Sequence, residues 1–198
     1  MRPDRSFFTD SDVVTLSKRL LGCHLNTLID GKITSGRIVE TEAYRGRDDK
    51  ACHAFNYKRT RRTETMFMEG GHAYVYLCYG IHNLFNIVVN VEGEPDAILI
   101  RALEPIEGVD EMLLRRKINK IKPQLTAGPG VLSKAMGIDK SMNNVDLTAI
   151  DSPVWIELME PIEAQNIFSG PRIGINYAEE CVEWPWRFCI KNNDYLSR

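Results

Sequence analysis

The chain has 198 residues, of which 43% are hydrophobic and 26% charged, and this balance predicts one globular domain over residues 1–198. No apolar run approaches the roughly 20 residues that span a bilayer, and the first residues lack a secretory signal, so we expect a cytoplasmic protein without a membrane anchor. Five cysteines without a CxxC pair argue against a disulfide framework or zinc knot, and a net charge of −2 argues against a protein that coats nucleic acid.

The first predicted element is a helix from about Asp10 to Leu21. An apolar stripe runs along it, Thr9 or Asp10 is suited to cap its start, and Gly22 is suited to end it. An alternating strand follows over residues 33–44, where apolar and polar side chains take turns. The chain therefore opens with a helix that leads into a sheet.

Strand-like segments dominate the middle of the chain. Residues 73–79 and 84–91 flank a short turn at residues 80–83 and read as a β-hairpin. Residues 97–102, with the sequence AILIRA, are nearly all apolar, as in a strand covered on both faces.

The second half is predicted to contain two helices and two late strands. One helix starts at Pro105 and runs to about Asn119, because proline is tolerated in a first helical turn, and a shorter one is bounded by glycines over residues 128–137. The late strands cover residues 154–158 and 188–190. Strands and helices do not alternate regularly, which predicts an α+β fold with a largely antiparallel sheet.

Two carboxylates in the first strand are the first candidates for chemistry. In a strand, Ile38, Glu40, Glu42 and Tyr44 point to one face and Val39, Thr41 and Ala43 to the other. Neighbouring carboxylates on one face lie roughly 6–7 Å apart, and one of them can serve as a general base toward water. An exposed polar face of an edge strand explains the same spacing.

A group of tyrosines lies beside the hairpin turn. Tyr74 and Tyr76 share a strand face, and core packing is the simple explanation for Tyr74. Tyr79 lies at the turn, where side chains face solvent, and packing explains it poorly. An aromatic side chain at a hairpin tip can act as a wedge that enters a base stack.

Histidines and a strand arginine complete the candidates. None of the four histidines shows the spacing of a metal site, and His53, close in sequence to the carboxylate strand, is the best functional candidate. Arg101 ends an apolar strand, where a buried arginine needs a carboxylate partner that Glu40 or Glu42 can supply. A structural ion pair and a catalytic role are compatible here. Two basic runs, at residues 58–62 and 115–122, are candidate phosphate contacts or ordinary solvated surface.

Seven stretches of sequence occur in order between about Leu16 and Lys191. They are GRIVETEAYRG, DKACHAF, TETMFMEGGHAYVYLCYGIHNLFNIV, AILIRALEP, AGPGVLSKAMGIDKSMN, PRIGINYA and PWRFCI. Together they closely resemble the alkyladenine (3-methyladenine) DNA glycosylase family. The combination of VETEAY, YVYLCYG and LIRALEP is specific, although each motif alone is weak. The resemblance implies a single mixed domain with a curved antiparallel sheet, surrounding helices and a protruding hairpin.

The resemblance also assigns catalytic roles. Glu42 matches the general base that activates the attacking water, and Arg101 matches the arginine that helps to hold this water and the carboxylate. A backbone carbonyl near Ile175 matches the third contact to the water. No lysine stands in a matched catalytic position, so we expect a monofunctional enzyme without a lyase step.

The base-binding roles fall on five residues. Tyr44, His53 and Tyr76 match the aromatic walls between which an extruded base stacks. Asn86 matches the residue that rejects guanine through its 2-amino group, and Tyr79 matches the wedge that fills the gap in the duplex. An aromatic slot favours cationic alkylated purines, because a cation over a ring gains about 0.5–2 kcal/mol.

The resemblance therefore implies an enzyme of base excision repair. It would flip alkylated or deaminated purines, such as 3-methyladenine, 7-methylguanine, hypoxanthine and ethenoadenine, out of double-stranded DNA and leave an abasic site. It implies no cofactor and no metal, a monomer, and a location with the bacterial-type nucleoid. Three alternatives stay open: a catalytically inactive nucleic-acid-binding module, an RNA-binding protein, and a metal-dependent hydrolase built from His53, His72, His82 and the glutamates.

Overall fold

The computed structural model describes residues 1–9 and 12–197, and it confirms the predicted α+β class. The helices of this part of the chain are α1 (Arg5–Thr9), α2 (Val13–Arg19), α3 (Val109–Arg116) and α4 (Pro129–Met136). The strands are β1 (His24–Ile29), β2 (Lys32–Tyr44), β3 (Ala73–Cys78), β4 (His82–Val89), β5 (Asp96–Glu107), β6 (Val154–Glu157), β7 (Ile167–Gly170) and β8 (Arg187–Ile190). Short 3₁₀ helices cover Phe55–Tyr57, Glu64–Phe67, Pro123–Leu125, Lys140–Met142, Ala164–Asn166 and Glu179–Glu183.

The strands form one open sheet in the order β3-β4-β5-β2-β1-β6, with β8 pairing to β2 and β7 to β8. Every pairing between these strands is antiparallel. The two long strands β2 and β5 lie next to each other at the centre. Residues from both therefore reach the same region of the protein.

A large hydrophobic core lies between the sheet and the helices. It contains Leu16 and Leu20 from the N-terminal helical region, Ile98 and Ile100 from β5, and Leu132 from α4, all fully buried. A second, smaller cluster of buried residues contains Tyr74, Met66 and Val88, and the partly buried Tyr44 and Tyr76 pack against it. In the part of the chain that the structure describes, no helix is long and apolar enough to cross a bilayer.

The first helix differs from the prediction. A short helix, α1, precedes it, and α2 begins only at Val13, because the Asp12 carboxylate accepts hydrogen bonds from the N–H groups of Val14 and Thr15 at 3.0 and 3.2 Å. Thr9 belongs to α1 and does not cap α2, and Asp10 lies outside the described residues.

The predicted helix over residues 105–119 is wrong at its start. Pro105 continues β5 and pairs with Gly36, at a register shift beyond the end of β4, where a strand tolerates proline. The helix begins after Gly108, which has φ 70° and whose added Cβ would lie 2.1 Å from the Ile33 carbonyl oxygen. It ends at Lys117, whose φ is 56°. The glycine-bounded helix α4 and the predicted strands are present close to their expected bounds, except that the strand predicted over residues 97–102 extends to Glu107.

The outer edge of β3 is covered by the segment 143–146. The Val75 N–H donates to the Asn143 side-chain oxygen at 3.0 Å, and the Ala73 N–H donates to the Val145 carbonyl at 2.8 Å. The Ala73 carbonyl in turn accepts from the Asn144 N–H at 2.9 Å. The first strand of the sheet is therefore paired on both sides over this length.

Candidate active site

Two irregularities in the pairing of β2 and β5 lie at the centre of the sheet. Ile38 pairs with Leu103 and Glu40 with Ala102, so Val39 has no partner on β5. Thr41 then pairs with Ile100, which leaves Arg101 without a partner on β2. Such bulges re-aim side chains.

The bulge also corrects the predicted face of the strand. Ile38 was expected to share a face with Glu40 and Glu42, but the register shift between Ile38 and Glu40 interrupts the alternation. Ile38 packs in the large core with Val39 and Ala43, while Glu40 and Glu42 meet Arg101. The side chains of β2 alternate regularly between the two faces of the sheet only beyond the bulge.

Arg101 joins the two glutamates in a buried cluster. Its Nε donates to Glu40 Oε1 at 2.9 Å and its Nη1 donates to Glu42 Oε2 at 3.2 Å. Both glutamates are fully buried and Arg101 is 6% exposed. Burial alone would lower the pKa of Arg101, but the carboxylates of Glu42 and Glu40 offset it and raise this pKa. The guanidinium therefore stays charged beside two carboxylates.

The Glu42 carboxylate is held from two further directions. The Tyr44 hydroxyl donates to Oε2 at 2.7 Å, and the Ile173 N–H donates to Oε1 at 2.7 Å. Burial and the neighbouring Glu42 raise the pKa of Tyr44, so its phenol stays protonated and acts as a donor. The Ile175 carbonyl, which the sequence indicated as a water contact, accepts the Ala178 N–H at 2.8 Å. From this segment, Ile173 makes the hydrogen bond to Glu42.

A cavity of about 430 Å³ opens beside this cluster. Six of the seven residues predicted for the site line it, namely Tyr44, His53, Tyr76, Tyr79, Asn86 and Arg101. Glu42 lies behind the lining and contacts two of its members, Arg101 and Tyr44. The structure thus brings all seven predicted residues into one site, with the carboxylate at its back.

His53 and Tyr76 form one aromatic wall. Their ring centroids are 4.7 Å apart with an interplanar angle of 76°. Burial, and secondarily the charge of Arg62, lower the pKa of His53 to about 4, so the imidazole is neutral at neutral pH. Arg62 donates to His53 Nε2 at 3.1 Å, so Nδ1 carries the proton and donates to the Tyr74 hydroxyl at 2.9 Å. A neutral wall does not repel a cationic base.

Tyr44 also lines the cavity and is supported by a residue that sequence reasoning missed. The guanidinium of Arg172 lies 4.8 Å from the Tyr44 ring centroid and 5.4 Å from that of Trp186. Arg172 is buried and pairs with Asp49, with Nη2 2.8 Å from Oδ1. The arginine within PRIGIN is a signal of a buried charge. Its carboxylate partner Asp49 lies 123 residues away in sequence, so spacing could not identify the ion pair.

Asn86 is fixed by its side-chain amide nitrogen. Nδ2 donates to the carbonyls of Tyr74 and Leu84 at 3.1 and 3.3 Å. Both amide hydrogens are therefore used by the backbone, and the amide oxygen is the atom left for a ligand. Because Asn86 is 4% exposed and lines the cavity, it restricts the shape of what can enter.

The hairpin tip is exposed and conformationally unusual. Tyr79 is 92% exposed and has φ 50°, a left-handed conformation that a bulky side chain rarely adopts. Gly80 follows with φ 73°, and the Ile81 N–H closes the turn on the Cys78 carbonyl at 3.1 Å. Two left-handed residues give a turn of the kind that favours tight hairpins. Because the Tyr79 side chain is exposed, it makes no packing contacts with the described part of the chain that would stabilise this conformation in the free protein.

The two basic runs have different surroundings. Arg61 and Arg62 line a second cavity of about 790 Å³ together with Lys140, and Tyr76 is shared with the first cavity. In the second run, Arg115 pairs with Glu111 at 3.0 Å and Arg116 donates to backbone carbonyls. The first run is therefore beside the site, whereas the two arginines of the second run are engaged in local structure.

The residues of the alternative metal site do not assemble. His53 belongs to the aromatic wall, His72 binds the Glu69 carbonyl at 2.7 Å, and His82 pairs with Cys78 in the hairpin. Within residues 1–9 and 12–197, no three histidine, cysteine, aspartate or glutamate side chains form a group able to hold a metal ion.

Known proteins resemble this chain over nearly its whole length. The family described as "Methylpurine-DNA glycosylase (MPG)" matches residues 6–194. A protein of Chlamydia felis is 50% identical over 93% of this chain and 94% of its own length, and one of Bacillus cytotoxicus is 46% identical over 96% and 97%. One of Natranaerobius thermophilus is 45% identical over 100% and 99%. Each of the three bears the name "Putative 3-methyladenine DNA glycosylase".

Proposed function

Because the chain belongs to the methylpurine-DNA glycosylase family of N-glycosyl hydrolases, we propose that it flips damaged purines out of duplex DNA and hydrolyses them from the sugar. The substrates are alkylated or deaminated purines of the 3-methyladenine, 7-methylguanine, hypoxanthine and ethenoadenine class. One observation carries the proposal: the buried Glu42 carboxylate is bonded to Arg101 and Tyr44, two residues that line a cavity with aromatic walls.

Glu42 acts as the general base. It draws a proton from a water molecule whose oxygen attacks the anomeric carbon, while the bond to the base breaks and its electron pair leaves with the purine. The negative charge of Glu42 also stabilises the oxocarbenium-like sugar, as carboxylates do in glycoside hydrolysis. Arg101 orients the carboxylate through its contact at 3.2 Å.

The aromatic walls select the lesion. Alkylation at N3 or N7 makes the purine cationic, and a cation over an aromatic ring gains about 0.5–2 kcal/mol, in addition to roughly 1–3 kcal/mol from stacking. Tyr44, the neutral His53 and Tyr76 all line the cavity, and we expect the base to stack between Tyr44 and the other two rings. A cationic leaving base departs as a neutral purine, so alkylated bases need no general acid.

Tyr79 serves as the wedge that fills the gap left by the flipped nucleotide. Its 92% exposure and its place at the hairpin tip suit insertion into a base stack. Among the described residues that line the cavity no lysine occurs, which supports hydrolysis by water without a covalent lyase intermediate. The enzyme acts as a monomer and leaves an abasic site.

The test is a single-turnover assay on duplexes that each carry one lesion of this class. The wild-type chain is expected to release the base, detected by alkaline cleavage at the abasic site, and Glu42→Gln is expected to be slower by at least about 10³-fold. Glu157→Gln, a surface glutamate bound to the N-terminal amine, is the matched control. Wild-type rates for Glu42→Gln would refute the role of Glu42, and binding without release by the wild type would favour an inactive DNA-binding module.

A further inference from the structure

The guanidinium of Arg101 has a separate partner on each of its three nitrogens. Nε donates to Glu40 at 2.9 Å, Nη1 donates to Glu42 at 3.2 Å, and Nη2 donates to the Ser197 hydroxyl at 3.1 Å. A planar fork fixed at all three nitrogens cannot rotate about its own axis. Two of these three partners, Glu40 and Ser197, have no part in the hydrolysis described above.

Ser197 and Glu40 are also bonded to each other. The Ser197 N–H donates to Glu40 Oε2 at 2.6 Å, and its hydroxyl donates to Glu40 Oε1 at 2.7 Å. The hydroxyl has one hydrogen, which it gives to the carboxylate, so toward Arg101 it acts as an acceptor. Arg101, Ser197 and Glu40 thus form a closed ring of hydrogen bonds with a fixed direction.

Glu40 balances charge within the cluster. It is fully buried and also accepts a hydrogen bond from Arg187 Nη1 at 3.2 Å. The cluster therefore contains two guanidinium groups and two carboxylates. Because Glu40 accepts from Arg187 Nη1 and from Arg101 Nε, the Nη1 side of Arg101 is left to Glu42.

The segment that carries Ser197 is attached independently of this ring. Asn193 Nδ2 donates to Glu104 Oε2 at 3.0 Å, and Tyr195 and Leu196 pack against the large core. The segment therefore has attachments of its own, to Glu104 and to the core, that do not involve Arg101. One substitution can therefore loosen the segment while another removes only the Ser197 hydroxyl.

We propose that Glu40 and Ser197 are positioning residues for base excision: they lock the Arg101 guanidinium so that its Nη1 points at the Glu42 carboxylate. This inference rests on the proposed roles of Glu42 and Arg101. Small displacements of a group that orients a catalytic residue can reduce rates by about 10²-fold. Ser197 thereby supports the active site, although it lies far in sequence from the other site residues.

The experiment compares three variants on a duplex with one 3-methyladenine. Ser197→Ala removes the hydroxyl, Ser197→Thr keeps it, and Asn193→Ala loosens the same segment without touching Arg101. For each we measure the single-turnover rate of base release, the Kd for a duplex carrying an uncleavable abasic analogue, and Tm. We expect Ser197→Ala to release the base about ten-fold more slowly with unchanged Kd, because it removes the hydroxyl's two hydrogen bonds to the charged groups of Arg101 and Glu40.

Ser197→Thr and Asn193→Ala are expected to keep rates within about two-fold of the wild type, because both retain the hydroxyl beside Arg101. A wild-type rate for Ser197→Ala would overturn the inference, and so would equal slowing of all three variants. Glu40→Gln, if it folds, should slow release more than Ser197→Ala. An inactive wild type, or an active Glu42→Gln, would refute the proposed function itself, whereas an inactive Glu42→Gln with an unaffected Ser197→Ala refutes this inference alone.

Discussion

Two tyrosines of the site, Tyr44 and Tyr79, lie in opposite kinds of surroundings. Tyr44 is backed by the Arg172 guanidinium at 4.8 Å, and its hydroxyl is bonded to Glu42. Tyr79 is 92% exposed, has φ 50°, and stands at a turn that projects from the sheet. One ring is held by many partners and the other by its backbone alone.

The difference separates two ways of preparing a surface for DNA. At the back of the cavity, buried charges are stable only because each has a partner, so the geometry there is over-determined. At the hairpin tip, the free protein accepts an exposed ring in a strained conformation, which is typical of contacts made only with a ligand. We expect mutations at the back of the cavity to lower both the free energy of unfolding and the rate of base release. Substitution of Tyr79 at the hairpin tip should impair the action on DNA without lowering the free energy of unfolding.

The largest effect is expected from removing the guanidinium at the back of the cavity. Arg101→Leu leaves Glu40 and Glu42 buried without their main partner, which should lower the free energy of unfolding by about 3–5 kcal/mol and abolish base release. Urea denaturation measures the first quantity. Arg37→Leu, which breaks a half-exposed pair with Glu104, is the control and should change it by less than about 1 kcal/mol. Equal losses of unfolding free energy for Arg101→Leu and Arg37→Leu would contradict the conclusion that the geometry at the back of the cavity is over-determined.

A smaller effect is expected from Tyr44→Phe. The ring stays in the wall, but Glu42 loses one of its hydrogen bonds, and a bond to a charged group contributes about 1.5–3 kcal/mol. Both the free energy of unfolding and the rate of base release should therefore fall. Tyr177→Phe is the control, since its hydroxyl makes a 3.3 Å bond to the Ala51 carbonyl at the half-exposed rim of the cavity. If Tyr44→Phe matched this control in both measurements, the hydrogen bond to Glu42 would contribute nothing.

His53 predicts a pH dependence of stability. Its pKa is lowered from 6.5 to about 4 in the folded protein, because burial and Arg62 disfavour the charged form. The unfolded chain therefore binds the proton more tightly, so this contribution to stability is complete above pH 6.5 and is lost as the pH falls toward 4. Between pH 7 and pH 5 the loss amounts to about 2 kcal/mol. Urea denaturation of His53→Gln at both pH values should show a decrease smaller by this amount, and an unchanged decrease would refute a buried neutral His53.

The smallest change in stability, and one of opposite sign, is expected at the tip. Tyr79→Asn places a residue that tolerates the left-handed conformation there, so the free energy of unfolding should rise by about 0.5–1 kcal/mol. Base flipping should weaken, as reported by a fluorescent base analogue in the duplex. Gly80→Ala, at φ 73°, should instead lower stability by about 1 kcal/mol. Destabilisation by Tyr79→Asn would mean that the side chain at the hairpin tip, like those at the back of the cavity, is held by stabilising contacts.

Much of the fold followed from local pattern in the sequence. Alternation predicted β2, glycines and a short turn predicted the hairpin, and flanking glycines predicted α4. The helix at Pro105 failed because proline suits both a helix start and a strand at a register shift, and only the left-handed Gly108 separates the two. The capping residue of α2 was missed for a similar reason, since several acidic and hydroxyl residues adjoin that helix.

The site was predictable where one strand or one motif carried it. Glu40, Glu42 and Arg101 were linked by burial and charge, and the resemblance to a family supplied the aromatic residues. Arg172 and Ser197 were not predictable, because their partners Asp49 and Glu40 lie 123 and 157 residues away in sequence. Ile38 was assigned to the wrong face because a bulge leaves no signal in the alternation of β2.

The covered edge of β3 has a consequence for how the protein behaves at high concentration. An uncovered sheet edge invites a second chain to add a strand, which begins fibre growth. Asn143, Asn144 and Val145 already bind both outward groups of Ala73 and the N–H of Val75, so an added strand cannot pair with these groups.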